Sequence, residues 1–122
     1  MTYKPRTQSK KFLDGDCPSG VLAIYDNGGT SWDRYTVFYK PSEPQSYGYG
    51  TIGFRGMSEH PSSPNGFGIY GEMKPFEVAA YRNRIYRESA KWSDLPEDVQ
   101  RAVRNDCSDL EVMAAGYDVQ PD

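Results

Sequence analysis

GMSEHPSSPNGFGIYGE, residues 56 to 72, separates a β-rich first part of this sequence from a helical last part. It contains the only histidine, His60, together with two prolines and four glycines. Proline restricts the residue before it to extended or turn conformations, and Asn65-Gly66 is a strong tight-turn signal. These features predict a rigid loop of defined shape followed by an aromatic strand, which is a common setting for a binding site.

Four β-strands are predicted around this loop, since β-branched and aromatic residues are concentrated in short runs bounded by turn signals. The runs are residues 21–25, 33–40, 49–55 and 67–73. The turn signal Asp26-Asn27-Gly28-Gly29 follows the first run, so the first two strands should form an antiparallel hairpin. In the third run, Gly50 and Gly53 indicate a bulge or the close approach of another group.

Helical periodicity replaces the strand pattern after Pro75. Helices are predicted near residues 76–88, 96–105 and 108–115. The second begins at a proline followed by two acids, a favourable start, and Asp106 is expected to cap the third. Strands followed by helices predict an α+β fold, with an antiparallel sheet of about four strands and C-terminal helices packed on one face.

Length and composition predict a single folded domain over residues 1–122. Hydrophobic content is only 37% and mean hydropathy is −0.78, but aromatic residues make up 14% and can supply much of the buried area. Residues 1–11 carry four bases and no acid, and residues 117–122 carry two acids and no base. These ends are expected to be a flexible basic arm and a flexible acidic tail.

The net charge of −3 argues against binding to duplex nucleic acid, which normally requires a broad basic surface. No apolar stretch approaches the roughly 20 residues needed to span a membrane, so no membrane partner is expected. Without a signal peptide pattern, the expected location is the cytoplasm. There Cys17 and Cys107 should be reduced thiols.

His60 beside Glu59 is the clearest acid–base candidate, because histidine titrates near neutral pH. The alternative is a loop histidine that hydrogen-bonds backbone. Ser58 and Ser62 lie nearby, but the GxSxG pattern of a nucleophile elbow is absent. No second histidine exists for a metal site, and the GxGxxG match at residues 66–71 lacks a nucleotide-fold context. The sequence therefore favours binding over catalysis, with no catalytic residue, metal or cofactor.

Aromatic rings stack on nucleobases and arginines pair with phosphate, so an interleaved set of these residues near one sheet edge indicates a ligand site. The predicted ligand-binding residues are Trp32, Arg34, Tyr47, Arg55, His60, Asn65, Phe67 and Tyr70. The alternative interpretation is that most of these aromatics belong to the core, because the chain is poor in aliphatic residues.

Five motifs in a fixed order resemble a family of small proteins encoded by tailed bacteriophages and prophages. They are YDNGG (25–29), DRYTV (33–37), MSEHPSSPNGFG (57–68), GE (71–72) and WSDLPEDVQ (92–100). The resemblance covers residues 14 to about 104. It implies a bacterial cytoplasmic setting during infection and a role in countering host defence, and it brings no catalytic residues.

Three functions are compatible with these observations. The first is a phage accessory protein that sequesters a nucleotide-like ligand, such as a cyclic oligonucleotide signal, without catalysis. The second is an interaction protein that blocks a host defence protein, in the manner of an anti-CRISPR inhibitor. The third is a small hydrolase using His60 and Glu59. A homo-oligomer is an open alternative for the assembly state.

Overall fold

The computed structural model describes residues 7–28, 34–40, 52–64, 66, 68–82 and 88–114. The elements in chain order are β1 (Val21–Asp26), β2 (Tyr35–Tyr39), β3 (Ile52–Met57), β4 (Gly68–Met73), α1 (Pro75–Arg82), β5 (Glu88–Ser89), a 3₁₀ helix (Trp92–Asp94) and α2 (Glu97–Ala114). The strands form one antiparallel sheet in the order β4-β3-β2-β1-β5. The predicted α+β class and antiparallel sheet are confirmed.

The predicted hairpin is formed by β1 and β2, and a bulge in β1 adjusts its side chains to the core. Val21 pairs with Tyr39 and Ala23 pairs with Phe38. Two steps along β1 therefore match one step along β2, and Leu22 is the extra residue. A bulge of this kind shifts the alternation of side chains along a strand. As a result Val21 and Ile24, three positions apart, lie in the same buried cluster.

Both faces of the sheet are covered by a helix. On one face, Val99 and Val103 of α2 join a cluster with Val37 of β2. On the other, Val78 of α1 joins a cluster with Phe38 of β2. Neighbouring residues of a strand point to opposite faces, so α1 and α2 lie on opposite faces of the sheet.

This two-sided arrangement differs from the predicted placement of the helices on one face. The reason lies in β2, whose five residues are all buried. Apolar side chains on both of its faces require cover on both sides.

The C-terminal part of the chain forms one helix where two were predicted. α2 runs without a break from Glu97 to Ala114. Asp106 does not cap a new helix, because its carboxylate accepts hydrogen bonds from Arg55 and Tyr39 instead. The predicted start is confirmed, since Gln100 N–H donates to Pro96 O and Glu97 and Asp98 form the first turn.

The helix predicted at residues 76–88 is observed as α1 up to Arg82, and residues 83–87 lie outside the described residues. Its predicted last residue, Glu88, is not helical, because Glu88 and Ser89 pair with Asp26 and Tyr25 of β1 as the short fifth strand. The third strand begins at Ile52 and extends beyond its predicted end to Met57. Its predicted first residues, 49–51, lie outside the described residues.

The segment before β1 is attached to the sheet by Gln8. Its backbone N–H donates to Leu22 O at 2.8 Å, its side-chain Oε1 accepts from Ile24 N at 2.9 Å, and Nε2 donates to Ile24 O at 3.2 Å. These contacts fix part of a segment, residues 1–11, for which the sequence predicted a flexible arm. Residues 1–6 and the predicted acidic tail, 117–122, lie outside the described residues.

Asp14-Gly15-Asp16 forms a turn that attaches the segment before β1 to the 3₁₀ helix and to α2. Gly15 adopts a left-handed conformation with φ of 56°, which favours glycine. The Asp14 carboxylate accepts from the backbone N–H and hydroxyl of Ser93. Asp16 accepts from Trp92 Nε1 and from Arg104, both at 2.8 Å. The turn therefore has a structural role.

Cys17 and Cys107 are not joined in a disulfide. Cys17 is partly buried, and burial raises the pKa of its thiol to about 11. A thiol with such a pKa is protonated and unreactive at neutral pH. Among the described residues, no helix is long and apolar enough to cross a membrane.

Candidate functional site

The loop between β3 and β4 is folded into two successive turns. Ser63 N–H donates to His60 O at 3.1 Å, and Gly66 N–H donates to Ser63 O at 2.8 Å. A Cβ atom added to Gly66 would lie 1.9 Å from His60 O, a backbone atom. Only glycine fits there without moving the main chain, so the loop has the defined shape that its sequence predicted.

Asp98, in the first turn of α2, fastens this loop to the helix. Its carboxylate accepts from the Ser62 backbone N–H at 2.9 Å and from the Ser62 hydroxyl. These bonds are the main reason that the pKa of Asp98 is lowered, and the charges of Arg101 and His60 contribute. The loop is thus held by an acid at a helix N-terminus, where negative charge is favoured.

The side chains suggested as partners of His60 in catalysis bond elsewhere. The Ser62 hydroxyl donates to Asp98, and the Glu59 carboxylate accepts from Arg34. His60 itself is an exposed residue of the loop. A nucleophile needs a base within hydrogen-bond reach, and these contacts do not supply one. Within the described ranges, no three His, Cys, Asp or Glu residues are placed to hold a metal ion.

Arg34, at the start of β2, is held by two carboxylates. Its Nε donates to Asp26 Oδ1 at 2.8 Å and its Nη2 donates to Oδ2 at 3.2 Å, while Nη1 contacts Glu59. The hydrogen bond from Arg34 is the main reason that the pKa of Asp26 is lowered. The Arg34 guanidinium therefore already pairs with two carboxylates, and the Glu59 side chain is 47% exposed.

Arg55, on β3, is paired in the same way but in a more buried setting. Its Nε and Nη2 donate to the two oxygens of Asp106 at 2.8 and 2.6 Å, and the Tyr39 hydroxyl donates to the same carboxylate. Burial, and then the charge of Asp106, raise the pKa of Tyr39 far above its ordinary value. This three-residue network joins β2 and β3 to α2.

Tyr70, on β4, lies beside this network with its ring open to solvent. The residue is 44% exposed, and the Arg55 guanidinium carbon is 5.8 Å from the ring centroid. Its hydroxyl would lie 2.2 Å from a Cβ atom at Gly53, so the ring covers that glycine. This contact confirms the predicted close approach at Gly53. Ile69, the preceding residue, is 53% exposed.

The predicted ligand-binding residues fall into three groups. Arg34 and His60 lie at the end of the sheet where β2 begins and β3 ends, and Arg55 and Tyr70 lie side by side on the β3–β4 ladder. The remaining four, Trp32, Tyr47, Asn65 and Phe67, lie outside the described residues.

Two residues that matter here were missed by the sequence interpretation. Ile69 was missed because an apolar residue in a strand reads as core unless the strand is known to lie at an edge. The sequence predicts Asp106 as a helix cap, because a partner as distant in sequence as Arg55 leaves no local signal.

Comparison with protein-family models, with curated proteins and with solved structures returns no significant match to this chain.

Proposed function

We propose that this protein is a non-catalytic interaction protein that docks on another protein by adding an extended segment of its partner to the edge of β4. In the phage setting implied by the sequence resemblance, the partner would be a host defence protein whose action is blocked. The observation that carries this proposal is the exposure of β4, and of Ile69 and Tyr70 in particular, at one edge of the sheet.

An edge strand offers a row of backbone donors and acceptors to an added strand. β4 is six residues long, and four of them are exposed. Natural edges are commonly protected by charge, proline, short length or a covering segment. β4 is not short, contains no proline and has Glu72 as its one charged residue.

The side chains of β4 add a reason for a protein partner. Ile69 and Tyr70 are the exposed large hydrophobic residues among those that the structure describes. Tyrosine is enriched at protein interfaces because its ring buries a large area and its hydroxyl finds a polar partner. Main-chain pairing would supply affinity, while these two side chains would supply specificity.

Sequestration of a nucleotide-like ligand is the second candidate, supported by the open ring of Tyr70. Base stacking on such a ring contributes about 1–3 kcal/mol. It ranks second because Arg34 and Arg55, the arginines expected to contact phosphate, are already paired with carboxylates. Thermal shift against a panel of mono-, di- and cyclic nucleotides tests it: a large shift that Tyr70→Ala removes would move this candidate to first place.

A random displayed-peptide library, selected on the purified protein, tests the docking proposal. The selected peptides should bind the wild type and protect the β4 amides from hydrogen exchange. Ile69→Lys should weaken their binding at least tenfold, because lysine at an edge opposes strand addition. Glu88→Lys, which puts lysine into the strand at the opposite edge, is the matched control and should leave binding unchanged. Peptides that bind both variants like the wild type would refute docking at β4.

A further inference from the structure

We infer that the segment recognised by β4 alternates apolar and basic residues, so that its apolar side chains lie beside Ile69 and Met73 and its basic side chains beside Tyr70 and Glu72. This inference rests on the proposed docking at β4 and specifies the partner's chemistry.

The two faces of β4 differ in character. A Cβ atom on Gly71 would meet the Phe54 ring, and Met73 packs against the same cluster as Phe54, on the α1 side of the sheet. Ile69 shares this side, since it lies two residues from Gly71. This face of the strand is therefore apolar, and its Ile69 is the most exposed large aliphatic residue in the part of the chain that the structure describes.

The opposite face of β4 carries an aromatic ring and an acid. Tyr70 lies on the side of Arg55, which is paired with Asp106 of α2, and Glu72 follows two positions later on the same side. Because the charges of Arg55 and Asp106 offset each other at 2.6 Å, exposed Glu72 provides the net charge along this face of the strand. Burial raises the pKa of Tyr70, and the negative charges of Glu72 and Asp106 raise it further.

Lys74, the nearest base in the sequence, lies beyond the paired part of β4. The last paired residue of β4 is Met73, opposite Ile52, and Lys74 begins the turn into α1, with its N–H donating to Glu77. A basic side chain on an added strand would meet the Glu72 carboxylate as a cross-strand ion pair and the Tyr70 ring as a cation–π contact. The net charge of −3 would favour the approach of the same basic segment.

Three synthetic peptides with the same apolar positions test this inference. Each has valine at alternate positions, and the intervening positions carry lysine, glutamate or threonine. Fluorescence anisotropy would give a Kd for each with the wild type, Glu72→Gln and Glu72→Lys at low and high salt. Because an exposed ion pair contributes modestly, we expect the lysine peptide to bind about fivefold more tightly than the threonine peptide, and this margin to shrink at high salt.

The variants give the decisive comparison. Glu72→Gln should remove most of the lysine peptide's advantage, and Glu72→Lys should make the glutamate peptide the preferred one, while Glu88→Lys at the other edge should not change the order. Equal binding of all three peptides, weakened by Ile69→Lys, would overturn the charge inference but leave docking at β4 standing. No binding of any peptide, or binding unaffected by Ile69→Lys, would overturn the inference, and the library selection would then decide the docking proposal separately. A dimer formed through β4, detected by sedimentation and broken by Ile69→Lys, would identify a second copy as the occupant and overturn it as well.

Discussion

The two edges of the sheet, on the β1 side and on the β4 side, differ in how their backbone donors and acceptors are paired. On the β1 side, β5 covers Tyr25 and Asp26, and the Gln8 side chain and backbone cover Leu22 and Ile24. On the β4 side, the described residues add no further strand. Both sides present backbone donors and acceptors, so the difference lies in what the chain supplies to satisfy them.

The closed side is completed by segments that are far apart in sequence. Gln8 and Ala90 both donate to Ile24 O, and the Gln8 side chain also reaches Ser89. An amide side chain carries one acceptor and two donors, so Gln8 can pair with the N–H and the carbonyl of Ile24 at once. The chain thus covers the edge beside β1 and leaves Ile69 and Tyr70 exposed at the edge formed by β4. This arrangement is expected if β4 is a docking surface.

The largest predicted effect concerns the ion pair that supports β3, the inner neighbour of β4. Asp106→Ala would leave Arg55 and the Tyr39 hydroxyl without their carboxylate. Breaking a buried pair commonly costs about 3–5 kcal/mol, and because the Arg55 side chain is 26% exposed we expect about 3 kcal/mol. Urea unfolding followed by circular dichroism measures the loss.

A double variant separates the lost pair from the lost packing. Arg55→Met with Asp106→Leu removes both charges, so it should recover the part of the loss that comes from the unpaired Arg55 charge, while the Tyr39 hydroxyl still lacks its carboxylate. If the double variant were as unstable as Asp106→Ala, the unpaired charge of Arg55 would not be the cause.

The next effect tests the closed side directly. Gln8→Ala removes the acceptor for Ile24 N–H and one of the donors to Ile24 O, and an unsatisfied buried group costs about 1–3 kcal/mol. The free energy of unfolding should fall by that amount, and the Ile24 amide should exchange faster with solvent. Gln8→Glu keeps the acceptor and should protect that amide better. Unchanged exchange at Ile24 in Gln8→Ala would mean that Gln8 does not close this side.

The difference between the two edges of the sheet also shows which parts of the fold could be predicted from sequence. Local patterns sufficed for β1 and β2, whose β-forming runs flank a turn signal, and for the start of α2, which follows Pro96 with two acids. The order of the strands depends on pairings between distant segments, such as Glu88 with Asp26. The exposure of Ile69 follows from that order and therefore could not be predicted.

The same reasoning applies to the candidate site. The sequence predicts that Arg34 and Arg55 contact the phosphate of a ligand. In the structure they pair with Asp26, Glu59 and Asp106 of the same chain. Guanidinium groups pair with carboxylate as readily as with phosphate. Sequence alone does not say which of the two lies nearby.

A third prediction concerns the effect of acid on Asp14 and Asp16, which lie in the same segment before β1 as Gln8. Bonds from Ser93 lower the pKa of Asp14, and bonds from Trp92 and Arg104 lower that of Asp16. A lowered folded-state pKa contributes stability that is complete above the ordinary aspartate value of about 3.9 and is lost as pH falls through the folded-state value. The urea midpoint should therefore drop as pH is lowered from about 4.

Two asparagine variants assign that acid sensitivity. Asp14→Asn and Asp16→Asn remove the titrating groups, so each should lower the midpoint at pH 7 and make it less dependent on pH in the acid range. Exchange of the Ile24 amide, measured along the same series, would show whether release of this turn also loosens Gln8. A midpoint that falls with acid as steeply in both variants as in the wild type would assign the sensitivity to Asp26 and Asp98, whose pKa values are also lowered.

The smallest predicted effect on stability belongs to the open edge, and it is the most informative about function. Ile69→Lys changes a residue that is 53% exposed, and substitutions at such surface positions usually alter the free energy of unfolding by less than about 0.5 kcal/mol. If β4 exists to bind a partner, this variant should fold like the wild type and fail only in binding. Urea unfolding of Ile69→Lys, with Glu88→Lys as the control, measures whether the variant is as stable as the wild type. A loss of more than about 1 kcal/mol in Ile69→Lys would place this side chain among the packed residues of the fold, and its exposure would no longer support docking at β4.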